Sequence, residues 1–305
     1  IDFKIIHFMK KNILFFLPVF IRGGAGNAIY KMCKRFDKSK YNLYIISIGP
    51  CSYKKELKKH IKKFYELKTN RAIYSIFALR KIVNDLNFNK SIFVSNINYA
   101  NVITILALRK YHDLKIILSE RTAIKELDIY FGIKDFLKKK ITKLLVKFLY
   151  KKANVVIANS KRTSDNLKNL CKIKAETIYS PAFKKFNKKI KKSNAIKKLL
   201  TVGRLSEEKD YETLIHAINL IKNQKFVLDI LGEGKHKNKL LELINRFNLK
   251  DKIFLRGYQK HPEEYFKKAD LYINCSLFEG FPNSVVEAIS FNIPVICSKS
   301  HGGIN

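Results

Sequence analysis

Acidic residues are scarce in this chain. Only 25 aspartates and glutamates stand against 61 lysines and arginines, which leaves a formal charge of +36 over 305 residues. A field of that size draws anions of every kind, whether nucleic acid, phospholipid surface or nucleotide phosphate. The excess is mostly lysine spread over the whole length, a composition that base bias in the coding DNA also produces. Arginines are few, and no stretch joins them to aromatics as a nucleic-acid platform would. The balance indicates an anionic environment, and nucleic acid is not the expected partner.

Other absences narrow the class. No apolar run reaches the ~20 residues that would span a bilayer. The longest near the start, residues 13–21, is interrupted by Pro18 and leads into glycines. No small-residue cleavage site follows it, so the expectation is an intracellular protein rather than a secreted one. The first residue is Ile, not Met, which suggests that the natural N-terminus lies further upstream. Five cysteines, Cys33, Cys51, Cys171, Cys275 and Cys297, are odd in number and lack CxxC spacing. That argues against a disulfide framework and a zinc site, and for buried reduced thiols.

What is present is a 47% hydrophobic chain, the composition of a globular protein, long enough for two domains. Short β-branched runs alternate with longer helix-period segments. Strands are expected at 12–17, 42–48, 91–95, 115–119, 154–159 and 176–180, then at 199–203, 225–232, 252–257, 270–275 and 294–298. Such runs, separated by helices, indicate parallel strands buried on both faces, hence an α/β protein. A polar, lysine-laden stretch, 184–198, lies between the two series and reads as a linker. The simplest architecture is two doubly wound, Rossmann-like domains, 1–183 and 199–305, facing a cleft.

Two basic segments have helical period. In residues 135–152, Leu137, Ile141, Leu144, Leu145, Phe148 and Leu149 form one apolar stripe. Lys138, Lys139, Lys140, Lys143, Lys147 and Lys151 largely cover the other side. Residues 56–68 are similar, with Leu57, Ile61 and Phe64 in register. Such a helix either lies on an anionic membrane or packs on a sheet with its lysines solvated.

Three segments could carry chemistry. "IRGGAGNAIY" follows a strand and opens a helical pattern; its glycines allow close backbone approach to an anion, or merely a tight turn. It is not GxGxxG, and no ribose-binding acid follows at the usual spacing. "TVGRLSEEKDYETLIHAI" ends a strand at Gly203 and places Arg204 and Lys209 in the next connection, where α/β folds bind ligands. A guanidinium fork and a mobile ammonium suit a diphosphate; an ordinary solvated basic loop is the alternative. "LFEGFPNSVVEAIS" sets Glu279 and Glu287 around a helix start, with Pro282 admissible there, Asn283 or Ser284 able to cap, and the Ser284 and Val285 amides aimed at a phosphate. Eight helical residues separate the two glutamates by roughly 12 Å. Glycoside hydrolysis needs its carboxyls about 5–9.5 Å apart, so the pair fits the gripping of hydroxyls on one elongated ligand better.

These segments resemble the retaining glycosyltransferases of family 4, which have the GT-B fold. "EGFPNSVVEA" is similar to their E-x7-E motif, "VGRLSEEKD" to their donor-phosphate segment, and "GGAGNAIY" to their first loop. "LDILGEGKHKNKLLEL", "RGYQKHPEEYFKKADLYINCS", "VVIANSKRTSDNL" and "IYSPAF" continue the resemblance in order along nearly the whole chain. It implies transfer of a sugar from a nucleotide diphosphate, UDP in particular, with the anomeric configuration retained, no metal and no other cofactor; there is no DxD. Arg204 and Lys209 would stabilise the leaving diphosphate, and Glu279 would hold the sugar. Gly203, Gly280, Phe281, Pro282, Asn283, Ser284 and Val285 would line the donor, with Glu287 on the ribose. Gly23, Gly24, Gly26 and Asn27 would approach phosphate and acceptor.

The resemblance further implies a glycan or lipid-linked acceptor in polysaccharide or lipopolysaccharide synthesis. It places the protein in the cytoplasm, peripheral to the inner face of an anionic plasma membrane. Two departures stand out. Where many members have a histidine, this chain reads "LSERT", putting Glu120 or Arg121 on the acceptor side or in a salt-bridged loop. Members also continue beyond the segment matching "HGGIN", so the second domain is expected to be incomplete at its C-terminus. A nucleotide-sugar epimerase of the same fold, or a non-enzymatic binder of polyanions or membranes, is the alternative.

Overall fold

Along the first strand, alternate side chains enter two different cores. Ile13, Phe15 and Leu17 pack with Ile29, Cys33 and Leu57, while Leu14 and Phe16 pack with Leu79, Phe93 and Leu118. A strand apolar on both faces must be covered on both, which is the condition of a parallel sheet wrapped by helices. A computed structural model describes residues 10–21, 23–69, 72–85, 91–180, 196–299 and 301–303. The chain divides into two compact units, Ile1–Pro181 and Ala182–Asn305.

The described residues of the first unit supply seven parallel strands: β1 (Lys11–Leu17), β2 (Tyr41–Ser47), β3 (Lys63–Glu66), β4 (Ile92–Asn96), β5 (Lys115–Glu120), β6 (Val155–Ala158) and β7 (Glu176–Thr177). Their order is β3-β2-β1-β4-β5-β6-β7. The helices are α1 (Gly24–Cys33), α2 (Lys54–Leu57), α3 (Ser75–Asp85), α4 (Asn98–Leu108), α5 (Ile133–Leu149) and α6 (Lys161–Cys171). The order reverses between β1 and β4, so the loops leaving their carboxyl ends diverge as in doubly wound dinucleotide folds.

The second unit repeats the plan. Strands β8 (Lys197–Val202), β9 (Phe226–Leu231), β10 (Ile253–Gly257) and β11 (Leu271–Asn274) join a later strand, β13 (Val295–Cys297), in the order β10-β9-β8-β11-β13. A short pair, β12 (Phe278–Glu279) and β14 (His301–Gly302), stands apart. Helices α7 (Tyr211–Leu220) and α8 (Lys237–Arg246) cover Leu199, Leu228 and Ile230. Helices α9 (Glu263–Lys268) and α10 (Asn283–Ser290) cover Leu200, Leu231 and Tyr272 on the other face.

Each expected strand is present, with ends shifted by a few residues. Residues 56–68, however, are not one helix. After α2 the chain turns and forms β3, an edge strand parallel to β2. Lys62 N–H donates to Leu43 O and Leu67 N–H to Ser47 O, both at 2.8 Å. Leu57 and Ile61 still reach the core, so apolar spacing alone did not distinguish a helix from a turn and strand.

The expected α5 stripe divides, with Leu145 and Leu149 packed inward and the rest turned out. Its inward face is Thr142, Val146 and Leu149, whereas Leu137, Ile141, Leu144 and Phe148 are exposed. Thr142 can be buried because its hydroxyl donates to Lys138 O at 2.8 Å. Of the expected linker, 184–195 lies outside the described residues, and Lys197 and Lys198 belong to β8. All five cysteines are free thiols; Cys33, Cys171 and Cys275 are buried and Cys51 and Cys297 half-buried.

Candidate active site

The connection from β8 to α7 runs over the carboxyl ends of its neighbours and is bonded to both. Leu205 N–H donates to Glu233 O and His236 N–H to Leu205 O, at 3.0 and 3.1 Å, tying it to the loop after β9. Leu277 N–H donates to Glu208 O at 2.9 Å, and the Cys275 thiol to Lys209 O at 3.0 Å, tying it to the loop after β11. Such close passage requires glycine: a Cβ on Gly232, where φ is +145°, would stand 1.9 Å from Gly203 O. Burial pushes the Cys275 thiol up to about 12, so it remains a protonated donor.

Within this frame Lys209 meets Glu279. Nζ of Lys209 lies 2.5 Å from Oε1 of Glu279, with the two side chains 18% and 13% exposed. The same oxygen accepts from Ser276 Oγ at 2.8 Å and from Asn274 Nδ2 at 3.4 Å. Three donors of different elements thus fix one carboxylate oxygen. The Glu279 backbone is fixed as well, since β12 pairs with β14 and Gly303 N–H donates to Glu279 O at 3.0 Å.

The second glutamate is reached through a tyrosine. Tyr272, fully buried in β11, stands with its hydroxyl 3.3 Å from both N and O of Val202 and is hydrogen-bonded to Ser284 at the start of α10. Burial, foremost, raises its pKa, and the charges of Glu279 and Glu287 push the same way. Both carboxylates therefore lie near one phenol that joins the end of β8 to the start of α10. Helix α10 begins at Asn283 behind Pro282, and no side chain caps it, contrary to the expected Asn283 or Ser284 cap. The Val285 N–H already donates to Pro282 O at 3.0 Å, so it does not face a phosphate as expected. Ser284 N–H has no backbone acceptor among the described residues.

Other expected residues are placed as follows. Arg204 is exposed, and its guanidinium has no protein partner among the described residues. Gly203 directly follows β8 and lies against the Lys209 stem. Gly280 is buried; Phe281 and Asn283 are half-buried around the α10 start. In the first unit Gly23, at φ +155°, has open space where a Cβ would lie, and Gly24 opens α1. Gly26 has a packing reason: its Cβ would stand 2.0 Å from Ile21 O. Asn27 is exposed and accepts from the Tyr53 hydroxyl.

Glu120 is not offered to an acceptor. It is fully buried and accepts from Tyr150 Oη at 2.6 Å, Thr122 Oγ1 at 2.8 Å and the Arg121 and Thr122 amides at 3.1 and 3.2 Å. Burial raises its pKa against those hydrogen bonds. Arg121 is half-buried; its Nε donates to Asn96 Oδ1 at 2.9 Å and Nη1 to Ser180 Oγ at 3.4 Å. Burial lowers it to about 10 while Glu120 opposes the shift.

Four participants escaped the sequence reading: Asn274, Ser276, Tyr272 and Glu126. The first three lie in "DLYINCS", whose apolar period marked only a strand. Glu126 accepts from Asn98 Nδ2 at 3.4 Å in the loop after β5. Among the described residues no group of three or more histidine, cysteine, aspartate or glutamate side chains could hold a metal ion.

Comparison with known proteins bears on this geometry. Residues 22–180 match the Glycosyltransferase Family 4 domain, and residues 182–305 the Glycosyl transferases group 1 domain. An uncharacterised glycosyltransferase of Methanocaldococcus jannaschii is 30% identical over 301 residues, covering 90% of this chain and 72% of that protein. The N-acetylgalactosamine-N,N'-diacetylbacillosaminyl-diphospho-undecaprenol 4-alpha-N-acetylgalactosaminyltransferase of Campylobacter jejuni is 33% identical over 169 residues, 53% of this chain and 46% of the relative. Among solved structures, Anabaena HepE in complex with UDP and glucose superposes with a TM-score of 0.72 at 18% identity, over 95% of this chain and 81% of that one. The two parallel-sheet units are those of the GT-B fold, and the chain belongs to glycosyltransferase family 4 with a group 1 second half.

Proposed function

We propose that the protein moves a sugar from a nucleotide-diphosphate sugar, a UDP-sugar in particular, to a lipid-linked or polysaccharide acceptor in cell-surface glycan synthesis, retaining the anomeric configuration. The observation that carries the proposal is the Lys209–Glu279 pair at the carboxyl edge of the second sheet. When the bond from the anomeric carbon to the diphosphate oxygen breaks, negative charge grows on the leaving group. Cations already in place lower that barrier because they need not reorganise. Lys209 supplies a fixed ammonium, and Arg204, without a partner among the described residues, supplies a fork for phosphate oxygens. These groups do the work of a metal ion, so the transfer needs none.

Glu279, held by three donors, grips the sugar; Glu287 takes the ribose hydroxyls, and the Ser284 amide a phosphate oxygen. Gly203, Gly280, Phe281, Pro282 and Asn283 line the donor. The first unit receives the acceptor near Gly23, Gly24, Gly26, Asn27 and Arg121. The HepE structure with UDP and glucose, and the Campylobacter relative named for a diphospho-undecaprenol substrate, support the donor and acceptor classes. A lipid-linked acceptor and a charge of +36 together bring the protein to the cytoplasmic face of an anionic membrane.

Thermal shift with nucleotide diphosphates tests the donor site. UDP at about 100 times its dissociation constant should stabilise the protein by ~2.7 kcal/mol. Arg204→Ala and Lys209→Ala should abolish that response. Glu279→Gln should end transfer from a nucleotide-sugar library to membrane extract while leaving UDP binding largely intact. Equal stabilisation by any polyanion, or undiminished transfer by Glu279→Gln, would overturn the proposal.

A further inference from the structure

Helix α5 carries two apolar faces, and among the described residues only one has a partner. The inward face packs Thr142, Val146 and Leu149 on the first unit. On the outer side Ile133 is 81% exposed, Leu137 55%, Ile141 59%, Leu144 57% and Phe148 49%. Their spacing of four, four, three and four keeps them on one line, roughly 22 Å long at the rise of a helix. An isolated exposed leucine needs no explanation, but an unbroken stripe of five large side chains does.

The surroundings of the stripe define its occupant. Lys134 and Lys138 border it on one side, Lys140 and Lys147 on the other, with Lys151 beyond its end; among the described residues none of them is in an ion pair. Instead, Lys140 lies 5.6 Å from the Phe136 ring centre, and Lys147 and Lys151 lie 5.7 and 5.8 Å from that of Phe148. The one acid of the helix, Asp135, is engaged by Lys139 at 2.9 Å on the inner side. A second copy of this chain would bring the same unpaired lysines face to face, which like-charge repulsion opposes. A bilayer with anionic headgroups matches both features at once, taking the side chains among its acyl chains and the lysines at its phosphates.

We infer that the outer face of α5 docks on an anionic bilayer, with Leu137, Ile141, Leu144 and Phe148 entering the headgroup–acyl boundary. The inference sharpens the peripheral association proposed above by naming the surface that makes it. No helix among the described residues is long and apolar enough to cross a membrane, and α5 lies along the surface.

The chain has no tryptophan, so one introduced indole reports its own surroundings. In the full chain, Leu144→Trp and Phe148→Trp should shift to the blue on phosphatidylglycerol-containing vesicles and be quenched by brominated acyl chains. Leu220→Trp, at an 86% exposed site of the second unit, should do neither. The triple variant Leu137→Gln/Ile141→Gln/Leu144→Gln keeps the net charge and should lose roughly tenfold or more of its vesicle partitioning. All replaced residues are exposed, so an unchanged thermal midpoint is the fold control.

Vesicle binding by wild type with silent α5 indoles would overturn the assigned face while leaving peripheral association standing. Absence of any vesicle binding would overturn both. A dimer in sedimentation that only the triple variant loses, with partitioning unaltered, would give the stripe to a second copy and overturn the inference. Because no nucleotide or acceptor enters these measurements, their failure is separate from failure of the transferase reading.

Discussion

The Lys209 side chain reaches Glu279 by crossing Gly203. A Cβ placed on Gly203 would stand 3.3 Å from Lys209 Cε, and 2.7 Å from the Tyr211 hydroxyl. Gly203→Ala should therefore disturb two things, the course of the lysine and the packing of a buried tyrosine. Tyr211→Phe removes the closer obstacle and leaves the lysine contact. The double variant Gly203→Ala/Tyr211→Phe should lose less stability than the two single losses added together. Its transfer rate should stay depressed, by about tenfold if a misplaced cation loses roughly 1.4 kcal/mol of transition-state stabilisation. Recovery of full turnover in the double variant would show that Gly203 serves packing alone.

The ion pair itself invites a cycle. Both partners are largely removed from water, so cutting one leaves an uncompensated charge, costing about 1–3 kcal/mol at such partial burial. Lys209→Met strands Glu279 with Ser276 and Asn274, whereas Glu279→Gln strands the ammonium with an amide oxygen. Denaturant unfolding should find Lys209→Met/Glu279→Gln more stable than the sum of the single losses predicts. Strict additivity would mean that the contact contributes nothing to the fold.

Much of this architecture is legible in residue order alone. Strands buried on both faces are short β-branched runs, and Leu14 or Ile230 sits in such a run whichever face it joins. β3 was not legible, because an edge strand buries little and Phe64 falls in step with Leu57 and Ile61 as a helix would place it. α5 was half legible: the stripe was found, but a helix with apolar residues on two faces does not announce which one the protein covers. At the site, spacing brought out Lys209, Glu279 and Glu287. It missed Tyr272, because a buried hydroxyl that joins two elements looks like any aromatic in a strand. Glu120 was only half legible: the resemblance put it on the acceptor side or in a salt-bridged loop, and only Tyr150 and Thr122 show it turned inward at the end of β5.

The crossing of loops at Gly232 should tolerate no side chain. Its Cβ would collide with Gly203 O at 1.9 Å, and φ of +145° is strained for any other residue. Gly23 shares the strained backbone, at φ +155°, without a neighbour within 4 Å. Gly23→Ala should then cost about 1–3 kcal/mol from backbone strain alone. Gly232→Ala should cost more, at least ~3 kcal/mol, and abolish any donor response because the strand ends must separate. Equal midpoint shifts for both variants would argue that the loops have room to part.

A buried acid gives the first unit a pH dependence with a definite sign. Glu126 is raised from 4.5 to about 7, chiefly by burial and next by the neighbouring charge of Glu120, against hydrogen bonds from Asn98 and Thr122. Between those values the folded state binds the proton that the unfolded state has released. Stability contributed by the neutral carboxyl is therefore whole below about 4.5 and declines as pH rises through about 7. The decline amounts to ~3 kcal/mol at most. Glu120, raised by burial as well, adds a slope of the same sign. Glu126→Gln keeps an oxygen for Asn98 and cannot ionise. It should match wild type near the lower limit, exceed it above neutrality, and ease the ionisation of Glu120 by removing the adjacent charge. Urea unfolding of both proteins across that range checks the sign; a variant advantage that does not grow with pH would place the Glu126 charge in water rather than beside Glu120.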